Sequence, residues 1–334
     1  MNEVATPAAT PARPRSLSTW TTAWASQIGI TTAFVILWLT FILLAPGTFL
    51  SENIYLSFAQ TTPFFALVAM PLTMVIIAGD IDLSFPSVMA LGMVGFVFVW
   101  QATGSVALGA AASLGVGAAA GLFNGLIITF VGIPSLVVTI GTQFLFRGLT
   151  LVLVNGRSYA LVDTQQSPAY DVLVGRPFGI PMEFWWLVIV SVGTWVLLNR
   201  HRLGQNTYVV GDNRHAATLM GIPIRRTRIA LFVLTGLMAA FAGLLNSLQI
   251  VNFYPGMGDG YLLPTLAAVF VGGTSVFGGR GSVWGTFIGA FMIGGITAGI
   301  IASGLTDYYT NLVYGAVILI SVSIHAVLQR RFTR

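Results

Sequence analysis

Ten runs of mostly apolar residues fill this chain, near 28–46, 54–78, 85–101, 106–130, 133–154, 184–199, 229–250, 261–277, 283–302 and 311–328. About 20 apolar residues cross a bilayer as a helix. In hydrocarbon, a spanning segment must satisfy every backbone N–H and C=O itself, which restricts such a chain to helices or a closed barrel. Runs of this length predict an all-α polytopic membrane protein with about ten transmembrane helices. Composition closes the soluble alternative: the chain is 7% charged, against about 25% for a soluble domain. Too few polar side chains are present to cover a surface in water.

The remaining charges set the direction. Every basic residue is Arg; there is no Lys. Basic residues concentrate in cytoplasmic segments. With the N-terminus inside, all the Arg residues except Arg147, Arg157 and Arg176 fall on the cytoplasmic side. An even number of crossings then puts both termini there. Residues 1–27, rich in Ala, Pro, Thr and Ser, read as a disordered cytoplasmic tail. Residues 28–328 form the transmembrane domain, and 329–334 a short basic tail. The excess of Arg reports orientation, not nucleic-acid binding.

Several chemistries are excluded. Without Cys there is no disulfide. His201, His215 and His325 are scattered, so no metal site is expected. Without Lys there is no P-loop, hence no ATPase site and no cofactor on this chain. No nucleophile stands beside a base. Asp80 and Asp82, two residues apart, would not share a helical face. The chain does not read as an enzyme.

Glycine is patterned. Gly117, Gly121 and Gly125 are spaced by four, as are Gly285 and Gly289, and Gly295 and Gly299. Such spacing lets helix backbones approach closely in lipid, and packing within the bundle is the expected use. Pro63 and Pro71 should bend the second span. The segment 155–183, with its Pro and Gly, reads as turns with a short helix.

Three polar segments stand out. Gly79 to Pro86 brackets Asp80, Asp82 and Ser84. Carboxylates near hydrocarbon are expensive and point to function. They suit a polar substrate pathway through a broken helix, an ion site, or helix capping by at least one side chain. The second segment, Phe270 to Ser282, is Gly-rich and occupies a matching position in the C-terminal half, which suggests a pseudo-repeat with discontinuous helices. Asn124, Gln143, Asn246 and Gln249 lie within spans and suit either the pathway or polar contacts between helices.

The third segment is 199–228. Six Arg anchor it on the inside, but an anchor needs no helix of its own. Here Asp212 or Asn213 can cap a short helix from Arg214 to Met220, with Gly221 as its stop and Pro223 close behind. This run, Gly211-Asp212-Asn213-Arg214-His215-Ala216-Ala217-Thr218-Leu219-Met220-Gly221-Ile222, resembles the inside loop of the permease subunits of ribose-type (monosaccharide) bacterial ABC importers. Asp80 to Pro86, Gly272 to Gly281, Arg147-Gly148 and Asn155-Gly156 also fit that pattern, and the likeness covers about 50–328.

The resemblance implies a permease domain that moves a monosaccharide or polyol by alternating access across the bacterial inner membrane. Gly211, Asn213, Arg214, Ala216, Ala217 and Gly221 would then couple it to a separate cytoplasmic ABC ATPase that holds ATP and Mg. A periplasmic sugar-binding protein would deliver solute, and a second permease subunit, the same or related, would complete the pathway. Asp80 and Pro86 stand where the family has Gly, and Arg214-His215 where a pair usually ends in Glu. The first two changes bear on the cavity, the third on the choice of ATPase. Competing readings are a permease for branched-chain amino acids or another small solute, and an ion-coupled secondary transporter using Asp80 or Asp82.

Overall fold

The computed structural model describes residues 17–302, 304 and 308–332. The helices are α1 (Leu17–Leu44), α2 (Pro46–Phe49), α3 (Glu52–Ile77), α4 (Phe85–Thr103), α5 (Val106–Leu126), α6 (Ser135–Val154) and α7 (Pro168–Val174). Then come α8 (Met182–Arg200), α9 (Arg202–Asp212), α10 (Arg214–Leu219), α11 (Ile224–Gln249), α12 (Leu262–Val271), α13 (Val283–Ala302) and α14 (Tyr308–Phe332). Among the described residues, eight helices are long and apolar enough to cross a membrane, and two shorter apolar segments, Asp259–Val271 and Tyr308–Ser323, complete the ten expected runs.

Two boundaries differ in substance from the sequence reading. Residues 17–27, expected to be part of a disordered tail, continue α1 as helix. Ala23, Trp24 and Ala25 extend the apolar run backwards, and the Ser and Thr among them masked this. Residues 1–16 lie outside the described residues. At the other end, residues 329–332 of the expected basic tail continue α14, while 333 and 334 also lie outside.

The core is built around α3. Every residue from Thr62 to Ile77 is buried, Pro63 and Pro71 included. A helix that is apolar all round belongs at the centre of a bundle, and α3 is enclosed by α8, α11, α12 and α13. Within it, the Thr73 hydroxyl is satisfied by the Ala69 carbonyl and the Thr286 hydroxyl. The outer helices instead expose large apolar side chains such as Leu43, Phe144 and Val152, as a lipid-facing surface requires.

The glycine stripes are internal seams. A Cβ on Gly121 would lie 2.2 Å from the Phe232 carbonyl oxygen, and one on Gly117 2.4 Å from that of Gly236. Gly285 and Gly289 abut α12 in the same way, and Gly295 and Gly299 meet Trp38 and Phe41 of α1. Expected discontinuities also appear. α12 has only ten residues, and the last turn of α5 is a π-helix, Ile127–Val131. The segment 155–183 holds the short strand β1 (Tyr159–Ala160) and α7; β1 pairs antiparallel with β2 (Asn252–Phe253).

The α5–α11 seam yields a test. Gly121→Ala should destabilise the purified protein by about 1–3 kcal/mol through overpacking. Gly115→Ala, on the same helix with no atom within 4 Å of the added methyl, should leave thermal unfolding in detergent unchanged or slightly raised.

Candidate functional site

Three helices stop in one way at the arginine-rich end of the bundle. α3 closes with Gly79 N–H to the Ile76 carbonyl and Asp80 N–H to that of Val75. α12 closes with Gly273 to Phe270 and Thr274 to Val269, and α10 with Gly221 to Thr218 and Ile222 to Ala217. Gly79, Gly273 and Gly221 have φ of 78°, 81° and 71°. This left-handed residue lets a helix bond its last carbonyls and turn away, and glycine adopts it without strain. The matching ends of α3 and α12 bring two of the polar segments together: Gly279 N–H donates to the Ile77 carbonyl at 2.8 Å.

The third segment locks onto both. A Cβ on Gly211 would lie 1.7 Å from the Ile77 oxygen and 2.7 Å from Gly279 N, so no larger residue fits there. Tyr208 of α9 donates its hydroxyl to the Gly281 carbonyl at 2.8 Å, and burial raises its pKa. Beyond Gly211, Asn213 caps α10 by accepting from the Ala216 N–H at 3.0 Å. Ala217 is buried, while Leu219 and Met220 at the tip are 77% and 69% exposed. α10 is a short helix fixed at both ends, with an apolar tip facing outward.

At the centre of this junction is Asp80, 3% exposed. Arg228, in the first turns of α11, grips it with both nitrogens, Nε to Oδ2 at 2.6 Å and Nη2 to Oδ1 at 2.7 Å. Arg214, the first residue of α10, reaches Oδ1 at 3.1 Å and the Gly79 carbonyl at 3.2 Å. A buried carboxylate needs such partners, and removing one side of a buried pair costs about 3–5 kcal/mol. Asp80, one of the residues expected on the substrate pathway, sits in the ion cluster that holds α10 and α11 to α3.

Asp82 and Ser84 are also held by hydrogen bonds. The Asp82 Oδ1 accepts from the Ser84 N–H and hydroxyl at 2.8 and 2.7 Å, and Asn124 donates to the Ser84 oxygen at 2.7 Å. Asp82 thus fixes the approach to α4 from outside the helix; neither side chain caps the free N–H groups of α4, contrary to the expected capping. Burial raises its pKa, against the lowering effect of the Ser84 bonds.

A cavity of about 780 Å³, with several polar groups set in a mostly apolar wall, lies away from this junction, between α3, α11, α12, α13 and α14. Ser57, Thr61, Thr62, Asn246, Tyr261 and Asn311 are among its polar lining residues, beside Phe64 and Phe65. Asn246 donates to the Tyr261 hydroxyl at 2.6 Å. Among the described residues, the buried Thr62 and Thr310 hydroxyls have no partner and no lining residue is charged. Of the seven expected pathway residues, only Asn246 lines it. Gln143, on α6, and Gln249, in the last turn of α11, do not. Thr61, Thr62 and Tyr261 were missed because single hydroxyls inside apolar runs carry no pattern. A further groove of about 300 Å³ between α8 and α13, lined by Trp195, Trp284 and Phe287, is almost wholly apolar.

A bundle of membrane-crossing helices around a cavity that carries polar groups, with a capped helix projecting from one end, defines a multi-pass transport permease. Residues 54–322 match the family model described as "Branched-chain amino acid transport system / permease component", and the chain belongs to that family. It is 33% identical over 305 residues to the ribose import permease of Escherichia coli (strain K12), covering 91% of this chain and 94% of that one. It is 34% identical over 258 residues to the ribose import permease of Bacillus subtilis (strain 168), covering 77% and 79%. With the autoinducer 2 import system permease of Salmonella typhi it shares 30% identity over 275 residues, covering 78% and 80%.

Because Asp82 has a raised pKa when folded, the fold binds its proton more tightly than the unfolded chain does. The stability this contributes is complete below the ordinary carboxylate pKa of 3.8 and is lost as pH rises through the raised value. Asp82→Asn keeps an oxygen for Ser84 and cannot ionise. Thermal unfolding followed from about pH 4 to about pH 8 should show a flatter pH dependence in this variant.

Proposed function

We propose that the chain is the permease subunit of a bacterial inner-membrane ABC importer for a monosaccharide or polyol. The arginine-rich end faces the cytoplasm, where α10 seats in a separate ABC ATPase that binds ATP and Mg. A periplasmic sugar-binding protein delivers solute to the opposite end, and a second permease subunit completes the pathway. This chain contributes no catalytic group. It alternates between outward and inward openings as the ATPase closes and reopens.

The observation that carries the substrate class is the chemistry of the cavity. Hydroxyl, phenol and amide groups line it beside aromatic rings, and among the described residues two buried hydroxyls are without partners and no lining residue is charged. Such a wall suits a neutral solute rich in hydroxyl groups. A zwitterionic amino acid would leave two desolvated charges without counterparts, at a cost of several kcal/mol. The ribose permeases among the relatives agree with this choice. Ion coupling has little support, since the Asp80 carboxylate is already taken by two guanidinium groups and that of Asp82 by Ser84.

The coupling role rests on α10, its exposed tip, and the Gly211 lock behind it. Gly221→Pro breaks the C-terminal closure, because proline cannot adopt a positive φ. It should abolish ATP-driven uptake while membrane insertion, measured by immunoblot, stays near wild type. For the substrate, ATP-dependent uptake of labelled pentoses, hexoses and polyols should be compared with that of leucine in vesicles carrying the full importer. Uptake of leucine alone would overturn the sugar assignment. In the expected case, Thr62→Val should raise KM roughly tenfold, about the value of one lost hydrogen bond to solute.

A further inference from the structure

We infer that Asp80 is the strut through which α10 moves the wall of the cavity, a positioning residue that transports nothing itself. The inference rests on the reading of α10 as the ATPase dock. Asp80 joins three elements through one buried carboxylate, and Arg214 adds a bond to the Gly79 carbonyl at 3.2 Å. Arg214 ties it to the first residue of α10 and Arg228 to α11, while its own backbone closes α3.

From Asp80 the chain continues as a non-helical stretch to Ser84. Asp82, Ser84 and Asn124 hold this stretch to α5, and Ile81 N–H donates to the Ser135 hydroxyl of α6 at 3.1 Å. It leads into Pro86 at the start of α4. There the Pro86 carbonyl lies 2.2 Å from the position of a Cβ on Gly258, whose φ is 94°. Gly258 opens the single turn Asp259–Tyr261, and the Tyr261 phenol, bonded to Asn246, forms part of the cavity wall. A continuous series of close contacts therefore runs from α10 to the solute chamber. Close-packed contacts and a buried ion pair have little slack, so displacement of α10 reaches Tyr261 and is not absorbed on the way.

A merely structural Asp80 would lower the amount of folded protein. A strut changes how much transport each ATP drives. The test uses the permease with its ATPase and binding protein in proteoliposomes. Because the chain has no Cys, Thr61→Cys supplies one labelling site on the cavity wall. In the otherwise unchanged chain, trapping the ATPase with ATP and vanadate should alter the rate of maleimide labelling there. Asp80→Asn should largely remove that change and lower uptake per ATP hydrolysed roughly tenfold, within the range of coupling energies mutations can shift. Arg214→Gln removes only the α10 arm, whose side chain is 46% exposed. It should act in the same direction, and it decides the question if Asp80→Asn does not reach the membrane. A variant with wild-type uptake per ATP and a wild-type labelling change overturns the strut. A parent protein with no ATP-driven uptake overturns the reading beneath it.

Discussion

Asp80 carries its charge where water scarcely reaches, and the surrounding arrangement keeps that charge from being alone. Its two oxygens take three hydrogen bonds from guanidinium groups that arrive from different helices. The ends of α3, α10 and α11 are set by this requirement, because none can move far without stranding a buried ion. Backbone contacts at Gly211 and Gly279 fill the same junction so closely that side chains are excluded. A strong, directional polar contact therefore ties α3 to α10 and α11, and a steric one ties α3 to α9 and the loop after α12.

The junction also separates two duties that arginine performs here. Arg225 and Arg226 are exposed and suit the role of anchors at a membrane surface. Arg228, three residues after Arg225, has only 12% of its side chain exposed and serves a carboxylate far away in sequence. Seen as a string, the residues 225–228 form one basic cluster. Seen in the fold, helical spacing turns one of them inward.

That contrast explains what was legible beforehand. The ten apolar runs, the Asn213 cap, the Gly221 stop and the internal use of the glycine stripes all depend on neighbours within a few residues or on a repeating spacing, and each appeared where it was read. The pairing of Asp80 with Arg228 spans 148 positions and has no local sign. Asp80 was assigned to the pathway by the general expense of a carboxylate near hydrocarbon, a rule that registers the cost without naming the partner that offsets it. The cavity failed to show for a similar reason. Thr61, Tyr261 and Asn311 come from three separate segments, and only Asn246 looked polar enough within its run to be noticed. Residues 17–27 were read as part of the tail because Ser and Thr lower the apparent hydrophobicity of a stretch that is helical in the fold.

α10 is built so that its two faces have different tolerances. Behind it, Gly211 admits no side chain at all and Ala217 is sealed inside. In front, Leu219 and Met220 touch little of their own molecule. Under the proposed docking of α10 on an ATPase, changes at the tip would leave the permease intact and alter only its partner. On that reading the helix is an interchangeable fitting on a fixed socket, and one transport body could be matched to a different motor by redrawing a few exposed residues.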